Sequence, residues 1–359
     1  MIAKVRVLSQ NSQADLGEGL LNRNSALLFD LGGTHLRCAC LTERGEIGNI
    51  KRERIQSFRD GVSPTEIWSG LLTKIEAYTT ASEALVGKSA PLVISFPGPL
   101  YDDGRIVNAP TVTGKNSEIP DLCAELSKRT GRVVRILNDV SAAALYLAKD
   151  SDWDRLMVIT VSSGIGSKVN VRNSDHSALF DRGPYAGEIG HLIVDESEDA
   201  PRCDCGGKGH LGGISSGRGV EDLARRRAAA DSTDFSRSLC HRKFGATSKT
   251  LNNEEHLVPA VRDGDEWALR VLEDATKPLA IVLNTVVLAL GLQGVLVIGG
   301  FALALGDVYL EVLRKTIQTR SDYSALVFSS DMVRFGKMCD DACLRGAAEY
   351  AIMTRNGRL

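Results

Sequence analysis

A two-lobed α/β fold, each lobe with its own core, is what this sequence predicts, on two observations. The first is size and composition: 359 residues, 43% hydrophobic and 25% charged, exceed one ordinary domain and suit a globular chain with two cores. The second is an internal echo. A buried strand, a glycine turn and a returning strand occur at 26–41 and again at 156–171, about 130 residues apart, the pattern of a fold duplicated within one chain.

Taken in order, residues 1–24 carry little apolar periodicity and are expected to form a loosely held N-terminal extension. Order is expected from Ser25, where ALLFDLGGTHLRCACLTERGEI reads as a buried strand, a Gly-Gly turn, an alternating strand and a further turn at Arg44-Gly45. Ser63-Pro64 with Glu66 opens a helix over 64–80. A strand at 91–99 stops at the Pro97-Gly98-Pro99 turn, a polar loop follows over 100–117, and 118–130 is an amphipathic helix. VVRILNDVSAAALYLAK then joins a buried strand to an alanine-rich helix at Asn138-Asp139. The second strand–turn–strand unit follows, then the Cys/His stretch 187–217, then mostly helical pattern over 218–280.

No charged residue lies between Lys277 and Asp307, but Asn284, Gln293 and the glycines 291, 294, 299 and 300 divide that run. Each piece is too short for about 30 Å of hydrocarbon, so a buried helix at 279–290, a buried strand at 294–298 and no membrane span are predicted. A third glycine turn follows within 294–306, then a short strand at 325–335 and a closing helix at 341–354. The lobes are expected as 25–137 plus 341–359 (small) and 138–340 (large).

A net charge of −2 offers no basic surface for nucleic acid, and Arg225-Arg226-Arg227 reads as a solvated helix face. The first twenty residues are polar, without the apolar core of a leader, so the eight cysteines are expected as thiols in a cytoplasm, two of them metal-bound.

Chemistry concentrates at four places. Glycine turns after apolar strands let backbone N–H groups approach phosphate without a Cβ in the way. Asp30 stands beside Gly32-Gly33-Thr34, where a carboxylate can hold magnesium through water while Thr34 meets phosphate. Asn138-Asp139 is an ordinary helix cap, and a carboxylate at that helix N-terminus can also accept a hydroxyl proton. His191, Cys203, Cys205 and His210, spaced H-x11-C-x-C-x4-H, supply the four N and S ligands of a structural zinc site that would pin the loop carrying Glu188.

Five motifs in order resemble the ROK family of sugar kinases and related repressors: DLGGTHLR (30–37), LNDVSAAAL (137–145), VSSGIGSKV (161–169), GEIGH with CDCGGKGH (187–210) and VLVIGGFALALG (295–306), over about 25–352. The resemblance implies an actin-like, hexokinase-type (RNase H-like) fold with a cleft between two lobes, ATP and Mg²⁺ as cosubstrate and cofactor, a structural Zn²⁺, and a homodimer. It implies that Asp139 takes the proton from a primary hydroxyl, while Gly98, Asn138, Glu188 and His191 bind the substrate. Gly32, Gly33, Thr34, Ser163, Gly164 and Gly166 would hold the nucleotide phosphates, and Gly299 and Gly300 would lie near adenosine.

Three positions depart from the family pattern. His210 replaces a zinc cysteine and preserves the ligand count, Gly212 stands where a sugar-binding glutamate is usual, and Thr111 stands where an asparagine commonly follows Ala-Pro. A missing acceptor argues against plain glucose and for a ring altered near its anomeric end, such as an amino sugar or a C7-cyclitol like 2-epi-5-epi-valiolone. The family's repressors carry a helix-turn-helix segment before the first phosphate loop; the 29 residues preceding Asp30 lack helical periodicity and basic charge, so a kinase is expected rather than a regulator.

Overall fold

The computed structural model describes residues 25–114, 117–172, 177–181, 183–319, 323 and 328–355. The expected N-terminal extension, 1–24, lies outside them. Among the described residues, two five-stranded sheets form the frame. In the first, β1 (Ala26–Leu31), β2 (His35–Leu41), β3 (Ile47–Arg54), β4 (Leu92–Phe96) and β5 (Val134–Asn138) run in the order β3-β2-β1-β4-β5. In the second, β6 (Arg155–Val161), β7 (Ile165–Arg172), β8 (Ser177–Phe180), β9 (Gly294–Ile298) and β10 (Val333–Phe335) run in the order β10-β9-β6-β7-β8.

The two orders are the same topology. In each, a central strand pairs antiparallel with the strand after the glycine turn and parallel with a later strand: β1 with β2 and β4, β6 with β7 and β9. The duplication expected from the two strand–turn–strand units is therefore a property of whole sheets. Strand β3, which the sequence reading did not include, completes the first; its exposed, charged run IGNIKRER carries no apolar alternation, as suits an edge strand.

Helices form where the local code asks for them. Ser63 and Glu66 make a reciprocal capping box at the head of Pro64–Ala81, whose Ile67, Leu71, Ile75 and Tyr78 turn one face onto the first sheet's core. Two expectations need correction. The helix placed at 279–290 is the end of a 25-residue helix, Glu266–Leu290, that runs through Pro278; its Ile281, Leu288 and Leu290 are exposed, so it is buried on one face only. The strand placed at 325–335 is a strand over Val333–Phe335 only; Ser330–Met332 is a single 3-10 turn, and 324–327 lie outside the described residues. Among the described residues no helix is long and apolar enough to cross a membrane.

The helix Asp139–Lys149 joins the two halves. Its Ala142 and Leu145 pack with β1, β2, β4 and the closing helix Ala342–Arg355, while Ala143, Ala144, Leu147 and Ala148 pack with β6 and β9. The alanines permit this because they let the flanking layers approach the helix backbone closely, with Leu145 and Leu147 filling the remaining space on the two faces. The closing helix comes so near that a Cβ on Gly346 would lie 1.8 Å from the Ala142 carbonyl oxygen. The N-terminus of this shared helix, and Asp139 with it, is thereby fixed between the two sheets.

Candidate active site at the head of the shared helix

Asn138 caps this helix: its Oδ1 accepts from the N–H of Val140 (2.9 Å) and Ser141 (3.3 Å). Its Nδ2 donates to the Gly98 carbonyl at 3.0 Å, tying the Pro-Gly-Pro turn to the helix. Gly98 has no alternative there, since a Cβ would lie 2.4 Å from the Asn108 carbonyl oxygen. The Asp139 Oδ1 accepts from Val140 N at 2.8 Å. Burial pushes the Asp139 carboxyl up to about 7, against that hydrogen bond; the charges of Asp30 and Glu188 raise it further and Lys168 lowers it.

Asp30 is 5% exposed and accepts from Arg37 Nη1 (2.9 Å) and Ser95 Oγ (3.0 Å). Burial raises its pKa and Arg37 opposes the rise. The first glycine turn is closed by Gly32 N donating to His35 O at 2.8 Å, and a Cβ on Gly33 would stand 3.0 Å from the Thr111 carbonyl oxygen. Thr111, noted as a departure, thus lies against the first candidate phosphate loop.

The second and third glycine turns meet each other. Gly299, with φ of +104°, comes so close to β6 that a Cβ would be 2.6 Å from the Val161 carbonyl oxygen, and Gly300 faces Ser162 Oγ. Ser162 N donates to Gly164 O at 3.0 Å, and Gly217 N donates to Ser162 O at 2.8 Å. Arg218 Nε donates to Ser163 O at 2.7 Å while its guanidinium pairs with Asp204 of the Cys/His stretch. Gly299 and Gly300 thereby lie against the Val161-Ser162 end of β6, where the turn through Ser163 and Gly164 begins, while Gly166 pairs with Thr160 at the start of β7.

Glu188 is held against β7. Ser167 N donates to Gly187 O at 2.8 Å, and Cβ atoms on Gly187 and Gly190 would strike the carbonyl oxygens of Ser167 (1.8 Å) and Ile165 (2.3 Å). The two glycines of GEIGH therefore let the loop lie flat on the strand, with Glu188 between them. Burial raises the Glu188 pKa, and its carboxylate lies 3.9 Å from His191 Nε2.

The ligand atoms of His191, Cys203, Cys205 and His210 all lie within 4.8 Å of one another. Cys205 Sγ is 3.2 Å from His210 Nδ1, and the two imidazoles stand edge to face at 5.5 Å. A side chain on Gly207 would run into the His210 ring at 2.3 Å, so that glycine keeps the cluster closed. Two nitrogens and two thiol sulfurs within a few ångströms are a donor set that fits tetrahedral zinc.

A cavity of about 470 Å³ borders Asn138 and Glu188 and runs back past Lys168 and Asp181 to Tyr350 of the closing helix. Two charged residues here escaped the sequence reading. Arg37 is legible only once β1 and β2 pair, which sets Asp30 opposite it. Lys168 had a signal available: it interrupts the otherwise uncharged run ITVSSGIGSKVNV.

Comparison with known proteins accords with this layout. The ROK family profile matches residues 27–354. A C(7)-cyclitol 7-kinase from Streptomyces hygroscopicus subsp. jinggangensis is 35% identical over 331 residues, covering 90% of this chain and 93% of that one. A glucokinase from Thermotoga maritima is 27% identical over 326 residues, covering 89% and 94%. Among solved structures, a ROK hexokinase from Thermus thermophilus superposes with a TM-score of 0.68 at 23% identity, covering 92% of this chain and 98% of that one.

Proposed function

Because the chain belongs to the ROK family, we propose that it is an ATP-dependent kinase acting on the primary hydroxyl of a C7-cyclitol or hexose-like ring. The observation that carries this reading is Asp139 at the head of a helix wedged between two topologically equivalent sheets, with glycine turns from both. The substrate hydroxyl would attack the γ-phosphorus, forming the new O–P bond as the bond to the ADP leaving oxygen breaks. Its proton would pass to the Asp139 carboxylate late in a loose transition state, where positioning and charge supply most of the rate. A carboxyl with a pKa near 7 is matched to that task at neutral pH.

The nucleotide phosphates would lie between the turns at Gly32-Gly33-Thr34 and Ser163–Gly166, with adenosine toward Gly299 and Gly300. Both Asp30 oxygens already accept one hydrogen bond and keep lone pairs, which suits holding magnesium through water; when bound, that ion would neutralise phosphate charge. Zinc held by His191, Cys203, Cys205 and His210 would have a structural role. It would fix the His191 ring and, three residues upstream, the direction of Glu188, which with Asn138 and Gly98 would bind the ring. Lobe closure would exclude water. A cytoplasmic homodimer is part of the same reading, and sedimentation tests the dimer.

For the substrate, the cyclitol kinase relative at 35% identity favours a C7-cyclitol over the glucose of the relative at 27%. Gly212 points the same way, because a glutamate's acceptor is missing there. Glucose is the second reading, supported by that relative's activity. Coupled measurement of ADP release over 2-epi-5-epi-valiolone, glucose and N-acetylmannosamine decides between them: the cyclitol is expected to give the highest kcat/KM, and a preference for glucose overturns the assignment.

A further inference from the structure

Lys168 is a charged side chain only 5% exposed, in the middle of β7. The strand's alternation sends Ile165, Val169 and Val171 into the large hydrophobic core and Lys168 to the opposite face, toward the head of the shared helix. There it lines the cavity with Asn138, Glu188 and Asp181, and its Nζ donates to the Ala186 carbonyl at 2.5 Å. Its aliphatic stem lies along the glycine-flanked loop, with Cδ only 3.2 Å from where a Cβ on Gly187 would stand. Lysines are almost never buried this far unless paired or put to use, since desolvating an ammonium is costly.

The surroundings say what that use is. The fixed stem and the Ala186 hydrogen bond hold the ammonium in one place, in the same cavity as the two side chains, Asn138 and Glu188, assigned above to the ring. Carboxylates (Asp102, Asp181 and Glu188) dominate the charge of the cavity lining, and Asp139 acts on Lys168 from nearby, so the groups offered to a ring hydroxyl are mostly acceptors. A polyol needs donors as well, because each hydroxyl oxygen is itself an acceptor. We propose that Lys168 is a substrate-binding residue: its ammonium donates to one ring oxygen, hydroxyl or carbonyl, of the bound cyclitol or sugar and thereby selects among polyols. This rests on the kinase reading above. It assigns to the site a cation that neither the glycine turns nor the Cys/His cluster supplies.

The test uses the full-length protein and the variants Lys168→Met and Lys168→Gln, with calorimetric binding of 2-epi-5-epi-valiolone and glucose and steady-state kinetics on these and on 2-, 3- and 4-deoxyglucose. Loss of one charge-assisted hydrogen bond should raise the ring substrate's Kd and KM by about 10- to 100-fold in Lys168→Met, with the KM for ATP unchanged. For one deoxy analogue the wild type and the variant should become equal, because the oxygen that Lys168 meets is gone. Lys168→Gln, which keeps a donor, should recover part of the loss. An equal penalty on every analogue, no penalty, or a change confined to kcat with a shifted acid limb overturns the contact. A wild type that binds the ring without phosphorylating it breaks the kinase reading alone, and one that does neither breaks both.

Discussion

Replacing Asp139 by Asn should make the protein more stable as it makes it inactive. The carboxyl's pKa rises from 3.8 to about 7 on folding, driven first by burial. A raised acidic pKa means the folded state holds the proton more tightly than the unfolded chain, so the group costs nothing below pH 4 and destabilises progressively as pH rises toward 7. At about 1.4 kcal/mol per pKa unit, the full penalty above pH 7 approaches ~4 kcal/mol, and between pH 5 and pH 8 it grows by about 2–3 kcal/mol. Asn keeps the side chain's size and an oxygen that can accept from Val140 N, and carries no charge. The measurement is the thermal midpoint of wild type and Asp139→Asn at pH 5, 6, 7 and 8, each without ligands. The variant's advantage should widen with pH by several degrees over that interval, while its turnover falls by about 10²- to 10⁴-fold. In the wild type, kcat/KM should rise with pH through an acid limb near 7. A variant less stable than wild type at pH 8, or a gap that does not change with pH, would refute the buried, ionisable base; retained turnover would refute its role.

Three further outcomes follow from single contacts. Cys203→Ser should abolish the zinc found by elemental mass spectrometry of the purified protein and raise the ring substrate's KM about tenfold or more, because the loop bearing Glu188 loses its pin; one metal ion per chain retained by the variant speaks against the four-ligand site. Gly212→Glu should shift the ratio of glucose to cyclitol kcat/KM toward glucose by about tenfold, and should lower the thermal midpoint because the new Cβ stands 3.1 Å from the Gly190 carbonyl oxygen; an unchanged ratio removes Gly212 from the specificity argument. Gly346→Val should cost about 2–4 kcal/mol, since the closing helix must back away from an Ala142 carbonyl only 1.8 Å from the new Cβ; a midpoint within a degree of wild type contradicts the close approach.

Much of the fold is written locally. Strands such as ALLFDL and LMVITV are short apolar runs closed by glycine, and the heads of the helices at Pro64 and Asp139 are marked by Ser63 with Glu66 and by Asn138. What was missed lacks such a code. Strand β3 is a charged edge whose pairing depends on β2 already being in place, and the long helix through Pro278 continues because packing on both sides of the proline holds it. A propensity rule stops a helix at proline, and tertiary burial overrides it.

For the site, residue types and the rough position of each turn can be read directly along the chain: glycines after strands, a carboxylate at a helix head, and four zinc-type ligands within twenty residues. Their spacing along the chain carries that information because turns, caps and metal ligands are short-range chemistry. What they face is set by packing between distant parts of the chain. The alanine helix wedged between the sheets sets Asp139 in the cleft and raises its pKa, the pairing of β1 with β2 gives Asp30 its Arg37, and the loop lying flat on β7 puts Glu188 beside a buried Lys168. Desolvation and charge depend on neighbours that are up to two hundred residues away in the chain, and no local pattern records them.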